Sequence, residues 1–186
     1  MSELTFDEKA HEYRMGERSL PSVTAILKDA GLIDTRFFND YAMTRGTFVH
    51  QACEMLDLGT LDEDTLDPAL FGYVGAYKKF RAECPMVWTE IEHMRADSVL
   101  GYAGTPDRVG DRTVLDIKTG QKQPWHGFQL AAYTMLALNA PLNTLTKRLG
   151  LYLKDDGTYK LERYQDRADF DVFKAALIIY NAKRRI

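Results

Sequence analysis

The chain has 186 residues, enough for one domain with one core, and its 45% hydrophobic and 27% charged content is that of a soluble globular protein. A net charge of −3 argues against a basic scaffold that coats nucleic acid, and Cys53 and Cys84 alone cannot build a four-thiolate zinc or iron–sulfur site. No apolar run reaches the roughly 20 residues of a membrane span, and the acidic start "MSELTFDEKAHEY" does not read as a signal peptide, so a cytoplasmic protein with reduced thiols is expected.

In chain order, alternation around Phe6 and Tyr13 with Gly16 between short runs predicts a β-hairpin. Ser22 can cap a helix beginning "VTAIL". A helix over "DYAMTRGTFVHQACEMLDLG" should close near Gly59. The acidic stretch "TLDEDTLDPAL" reads as a solvated connection, and "PALFGYVGAYKKFRAE" as the next helix. The block from Val87 to Lys118 is punctuated by Gly101, Gly104 and Gly110-Asp111 into three expected strands. "WHGFQLAAYTMLALN" has helical periodicity and is followed by Pro141; Trp125 and His126 at its start could stack on a base, but the commoner reading is a packed Trp with an exposed His. "KRLGLYL" and "TYKLERY" flank "KDDG" as a hairpin, and "RADFDVFKAALIIYNAKRR" closes the chain as an amphipathic helix. The order is a helix, three strands, a helix and a further strand, with extensions at both ends.

Two residues do not fit the packing of the strand "VLDIKTG". Asp116 and Lys118, two apart, share one face, while Leu115 and Ile117 point to the other. An exposed edge strand with an ion pair would explain them if they stood alone. Asp107, in "GYAGTPDRVG", lies nine residues before Asp116. A two-residue turn at Gly110-Asp111 or Asp111-Arg112 would bring Asp107 to the face of Asp116; a three-residue turn would send it to the opposite face. Two carboxylates on one patch repel unless a cation separates them, and hard divalent cations favour such oxygens. Such a cation polarises a phosphoryl oxygen and activates water, and Lys118 beside it could orient or deprotonate that water. On helices, His50 and Glu54 lie one turn apart, as do Gln129 and Tyr133. Glu90 and Glu92, on a strand leading toward the patch, are further candidates for a metal or support role.

"RGTFVHQACE", "GYAGTPDRV", "VLDIKTG" and "QLAAY", in that order, resemble the four motifs of the PD-(D/E)XK nucleases, nearest to the RecB-like and phage exonuclease branch. The resemblance covers roughly Arg45 to Tyr133. It implies an α/β (α+β) fold: a restriction-endonuclease-like αβββαβ core, a mixed central sheet flanked by helices, an N-terminal hairpin and a C-terminal helix, all in one domain over residues 1–186. It implies that His50, Asp107, Asp116 and Ile117 make the metal site, and that Lys118 is the catalytic lysine. Glu54 matches an acid acting through a metal-bound water. Gln129 and Tyr133 match residues that bind DNA or brace the site, and Arg45 is a candidate phosphate contact.

The expected activity is hydrolysis of DNA phosphodiesters with Mg²⁺ or Mn²⁺, as an exonuclease of phage or bacterial recombination and repair. RNA stays open as a substrate. A recombination or single-strand-annealing partner and an oligomer are compatible with the branch, and no membrane is involved. The alternatives are a binding module that kept the fold and lost catalysis, and a hydrolase of small phosphoesters with a slim, closed pocket.

Overall fold

The computed structural model describes residues 3–7, 12–34, 39–110, 112–138 and 147–184. Strands β1 (Leu4–Asp7), β2 (Glu12–Met15) and β3 (Arg18–Leu20) form an antiparallel meander. Helix α1 (Val23–Asp29) follows at once because the Ser22 hydroxyl accepts from the Ala25 N–H at 3.0 Å. Helix α2 (Asp40–Leu58) opens on the Asn39 cap and ends at Gly59, whose left-handed backbone (φ 69°) lets Gly59 and Thr60 close the last turn. Helix α3 (Phe71–Glu83) follows a short 3₁₀ turn at Pro68–Leu70. Within α3, Gly72 touches the turn at Asp155 so closely that a Cβ there would overlap the Asp155 carbonyl. Gly72→Ala is therefore expected to cost about 1–3 kcal/mol, read as a lower thermal midpoint.

The block expected as three strands contains five: β4 (Glu90–Ile91), β5 (Arg95–Asp97), β6 (Tyr102–Gly104), β7 (Arg108–Gly110) and β8 (Thr113–Lys118). Only β4, β7 and β8 join the central sheet. β5 and β6 pair separately and lean on the N-terminal meander, where Ala103 donates to Pro21 and packs with Tyr13 and Leu20. Helix α4 (Trp125–Leu138) then leads to β9 (Lys147–Leu153), β10 (Tyr159–Tyr164) and α5 (Ala168–Lys183). Pro141 lies outside the described residues.

The central sheet runs β10-β9-β8-β7-β4, with β8 and β9 parallel and the other pairs antiparallel. It is the mixed sheet expected. Its middle strand is covered on both faces, as a parallel crossover requires. Leu115 and Ile117 enter a core with Val49, Tyr77 and Phe80 of α2 and α3, while Val114 enters another with Leu130 of α4 and Phe173 of α5. The pleat therefore carries Asp116 and Lys118 on the Val114 face. Among the described residues, no helix is long and apolar enough to cross a membrane. Both cysteines are free thiols.

Candidate active site

Gly110 pairs with Thr113, Val109 with Val114 and Arg108 with Leu115. Two residues therefore make the turn, and Arg112 takes the left-handed backbone (φ 51°) that tight hairpins of this kind use. Extending this register by one residue sets Asp107 opposite Asp116, and the Asp107 carboxylate accepts the Ile117 N–H. Ile117 thus takes part through its main chain, its side chain being buried in the core.

Helix α2 brings His50 to the same place. Its Nδ1 lies 3.4 Å from Asp107 Oδ1 and 3.6 Å from Glu92 Oε1. Ligand atoms of His50, Glu92 and Asp107 all fall within 4.8 Å of one another. Glu92 comes from the segment just after β4, where its own backbone is left-handed (φ 47°) and its N–H donates to the Asp107 carbonyl. Glu90, by contrast, pairs with Arg95.

Burial is the largest influence on each acid. It lifts Asp116 to about 6, with Lys118 opposing that rise and Asp107 adding to it. Glu92 is raised by burial and by Asp107. Asp107 is also buried, but the His50 ring and Lys118 outweigh this and hold it below the ordinary range. Burial works against an imidazolium at His50, yet Asp107 and Glu92 raise it well above the usual histidine value. Lys118 Nζ sits 2.6 Å from Asp116 Oδ2, although that buried oxygen accepts no hydrogen bond of normal geometry. Two carboxylates and a histidine around one point, with Asp116 and its orphaned buried oxygen next to them across the hairpin, are a donor set suited to a divalent cation.

The remaining sequence candidates divide. Gln129 donates to the Tyr133 hydroxyl at 3.1 Å, both are buried, and the phenol is raised by burial and by the Asp116 and Asp107 charges, which places this pair beside the carboxylates. Glu54, one turn beyond His50, is not among the converging ligand atoms. Arg45 stacks over Tyr73 of α3 at 5.2 Å, on a different side of α2 from His50. Trp125 packs half-buried against the core that holds Leu130 and Phe173, as expected, but His126 is buried rather than exposed, because it bonds the Tyr152 hydroxyl at 2.7 Å. On α3, Lys78, Lys79 and Arg81 pair with Glu63, Glu83 and Asp57.

Two residues behind the site had not stood out in sequence. Asp57 follows His50 by two helical turns, and Arg108 follows Asp107 directly. Arg108 is fully buried and donates to Asp57 at 2.7 Å and to Glu92 at 3.1 Å. Their signal was the i,i+7 spacing on α2 and a charged residue inside a three-residue strand. In front of the site lies a groove of about 920 Å³, reached by His50, Lys118, Thr119, Gln123, Trp125 and His126.

The sequence matches no family model and no curated protein at a significant level. Among solved structures, the alkaline exonuclease LHK-Exo from Laribacter hongkongensis aligns over 87% of this chain and 74% of its own, at 18% identity and a TM-score of 0.48. The structure of LHK-Exo in complex with dAMP aligns over 88% of this chain and 87% of its own, at 16% identity and a TM-score of 0.50. The chain has a nuclease fold. At that identity the likeness extends to the architecture and does not assign side-chain roles. The mixed sheet with helices on both faces is common to this nuclease fold and to the core expected from the sequence.

Proposed function

We propose that this chain is a divalent-metal-dependent deoxyribonuclease of the PD-(D/E)XK superfamily, cutting from DNA ends. The observation that carries the reading is the convergence of His50, Glu92 and Asp107 on one point, beside Asp116 and Lys118, at the wall of an open groove. Asp107, Asp116 and Glu92 would hold Mg²⁺ or Mn²⁺, with His50 beside them. When bound, such an ion polarises a phosphoryl oxygen and lowers the pKa of water. The protein's own part is positional and electrostatic. Ile117 N–H fixes the Asp107 carboxylate, and Lys118 brings a positive charge to the groove where the attacked phosphate would gain negative charge. Gln129 and Tyr133 would brace the carboxylates from α4. The exonucleolytic mode and the choice of DNA rest on the architecture shared with LHK-Exo, an alkaline exonuclease described in complex with dAMP. The open groove suits a polymer better than the closed pocket of a small-phosphoester hydrolase.

The test is digestion of end-labelled linear and circular DNA, single- and double-stranded, with Mg²⁺ or Mn²⁺. Shortened linear strands with intact circles are expected; nicked circles would overturn the exonuclease reading, and no cleavage of any substrate would overturn the nuclease. Glu92→Gln is expected to slow cleavage about 10–100-fold and to raise the Mg²⁺ concentration at half-maximal rate, because it removes one anionic ligand and leaves the other two. An unchanged Mg²⁺ titration would remove Glu92 from the metal site.

A further inference from the structure

His126 has no place in the metal site, yet its surroundings fix its state. It sits in the first turn of α4, is only 3% exposed, and lines the same groove as His50, Ile117 and Lys118. Its Nδ1 accepts the Gln123 backbone N–H at 3.3 Å. A backbone amide can only donate, so the ring proton must lie on Nε2. The Tyr152 hydroxyl, 2.7 Å from the same Nδ1, is then a donor too, and its oxygen is free to accept from Tyr164 at 2.5 Å. The chain of donors therefore has one direction, from Tyr164 through Tyr152 to Nδ1, and it ends on the Nε2–H. That group has no hydrogen-bond partner among the described residues.

The ring is thus held at one nitrogen by two donors, while its other N–H is not sealed in the core and is open to a ligand entering the groove. The edge of the ring that remains is the one available to the groove, where α4 also presents its N-terminus through Pro124 and Trp125. The helix dipole favours an anion there. The backbone amides of His126 and Gly127 are already used by the Gln123 and Pro124 carbonyls, and the His126 side chain adds a further donor at this end. Burial, with Lys118 and Lys122 nearby, keeps the imidazole near 3, so it stays a neutral donor at any working pH.

We propose that His126 Nε2–H is a fixed, neutral hydrogen-bond donor to a phosphodiester oxygen of the nucleic acid lying in this groove, next to the linkage that Lys118 faces. This rests on the nuclease reading for the identity of the ligand. A neutral donor suits the place: it grips the backbone without adding a second cation that would compete with the metal site or hold the cut strand. The role is sequence-independent, because the phosphate and not the base is met.

The experiment measures binding of short oligonucleotides by fluorescence anisotropy in Ca²⁺, with folding followed by thermal melting. His126→Phe keeps the ring packing and removes the donor; His126→Gln returns an N–H near the Nε2 position. His126→Phe is expected to bind about 10–100-fold more weakly, and His126→Gln to recover most of that loss. A set of oligonucleotides, each with one neutral methylphosphonate linkage, locates the contact without altering the protein. At one linkage the methylphosphonate should weaken wild type and leave His126→Phe unaffected. Wild-type affinity in a folded His126→Phe, or additive penalties at every linkage, would overturn the proposal. Its fate is separable from that of the nuclease: a wild type that cuts nothing in Mg²⁺ or Mn²⁺, with His126→Phe still weakened, would sink the nuclease and leave this contact standing.

Discussion

Asp107→Asn is expected to cut DNA at least about a thousandfold more slowly than wild type, with its fold intact. The substitution keeps the shape of the side chain and can still accept the Ile117 N–H, so the hairpin that sets Asp107 opposite Asp116 should form. What is lost is the charge at the centre of the donor set, the one acid the surroundings hold firmly ionised. Asp116→Asn should be equally inactive but differ in stability. A carboxyl whose folded pKa lies near 6, above the ordinary 3.8, binds its proton more tightly in the folded state. Metal-free protein is then favoured below the unfolded pKa and loses that advantage as pH rises through about 6. Asparagine removes this pH dependence. At pH 8 without metal, Asp116→Asn should melt no lower than wild type, and adding Mg²⁺ should raise the wild-type midpoint more than that of the variant. Wild-type cleavage rates in either variant would refute the mechanism; an Asp116→Asn protein that melts lower at pH 8 would refute the electrostatic account.

The elements that could be read from sequence were those with local causes. Ser22 and Gly59 terminate helices by hydrogen bonds within a few residues, so their positions are written in the chain. The Asp107–Asp116 juxtaposition was conditional on a turn length, and Gly110↔Thr113 pairing settles it. Glu92 was harder. It reaches His50 because a two-residue strand ends in a left-handed residue, and neither feature has a strong sequence signature outside glycine. The split of one β-block into a sheet and a separate ribbon was hidden for a related reason: β6 is held by the N-terminal segment, through Pro21 and Ser22 some eighty residues away. His126 was misread because nothing local predicts burial of a histidine; its partners Tyr152 and Tyr164 come from β9 and β10.

The fold also explains why one end of the sheet can hold so much negative charge. Asp107 and Asp116 lie with Glu92 behind the groove wall that His50 and Lys118 help to form, and their repulsion is met by cations that the fold itself pins. Lys118 answers Asp116, and Arg108 answers Glu92 while donating to the Asp107 carbonyl at 2.7 Å. Arg108 can do this only because Asp57 fixes its other edge. The carboxylate cluster is thus one layer of a charge-alternating stack whose last layer is on α2.

That stack makes Asp57→Ala the substitution with the largest expected effect on stability, about 3–5 kcal/mol. The Asp57 side chain is 2% exposed and pairs with two arginines, at 2.7 Å to Arg108 and 3.0 Å to Arg81, and it accepts the Tyr77 hydroxyl. Deleting it leaves a fully buried guanidinium with one terminal nitrogen already unpartnered, a burial cost that no solvent can relieve. Asp57→Asn should cost less, since the amide oxygen can still accept from Arg108, but it halves the neutralisation and should loosen Glu92. Conversely, Arg108→Met paired with Asp57→Leu replaces the ion pair by apolar volume and should recover much of the stability lost by Asp57→Ala. The double variant would still free Glu92 and so should bind Mg²⁺ more weakly than wild type. Chemical denaturation of the three variants, with and without Mg²⁺, separates these terms. A loss below about 1 kcal/mol for Asp57→Ala would mean that water reaches Arg108 and that the buried stack does not hold Glu92 in place.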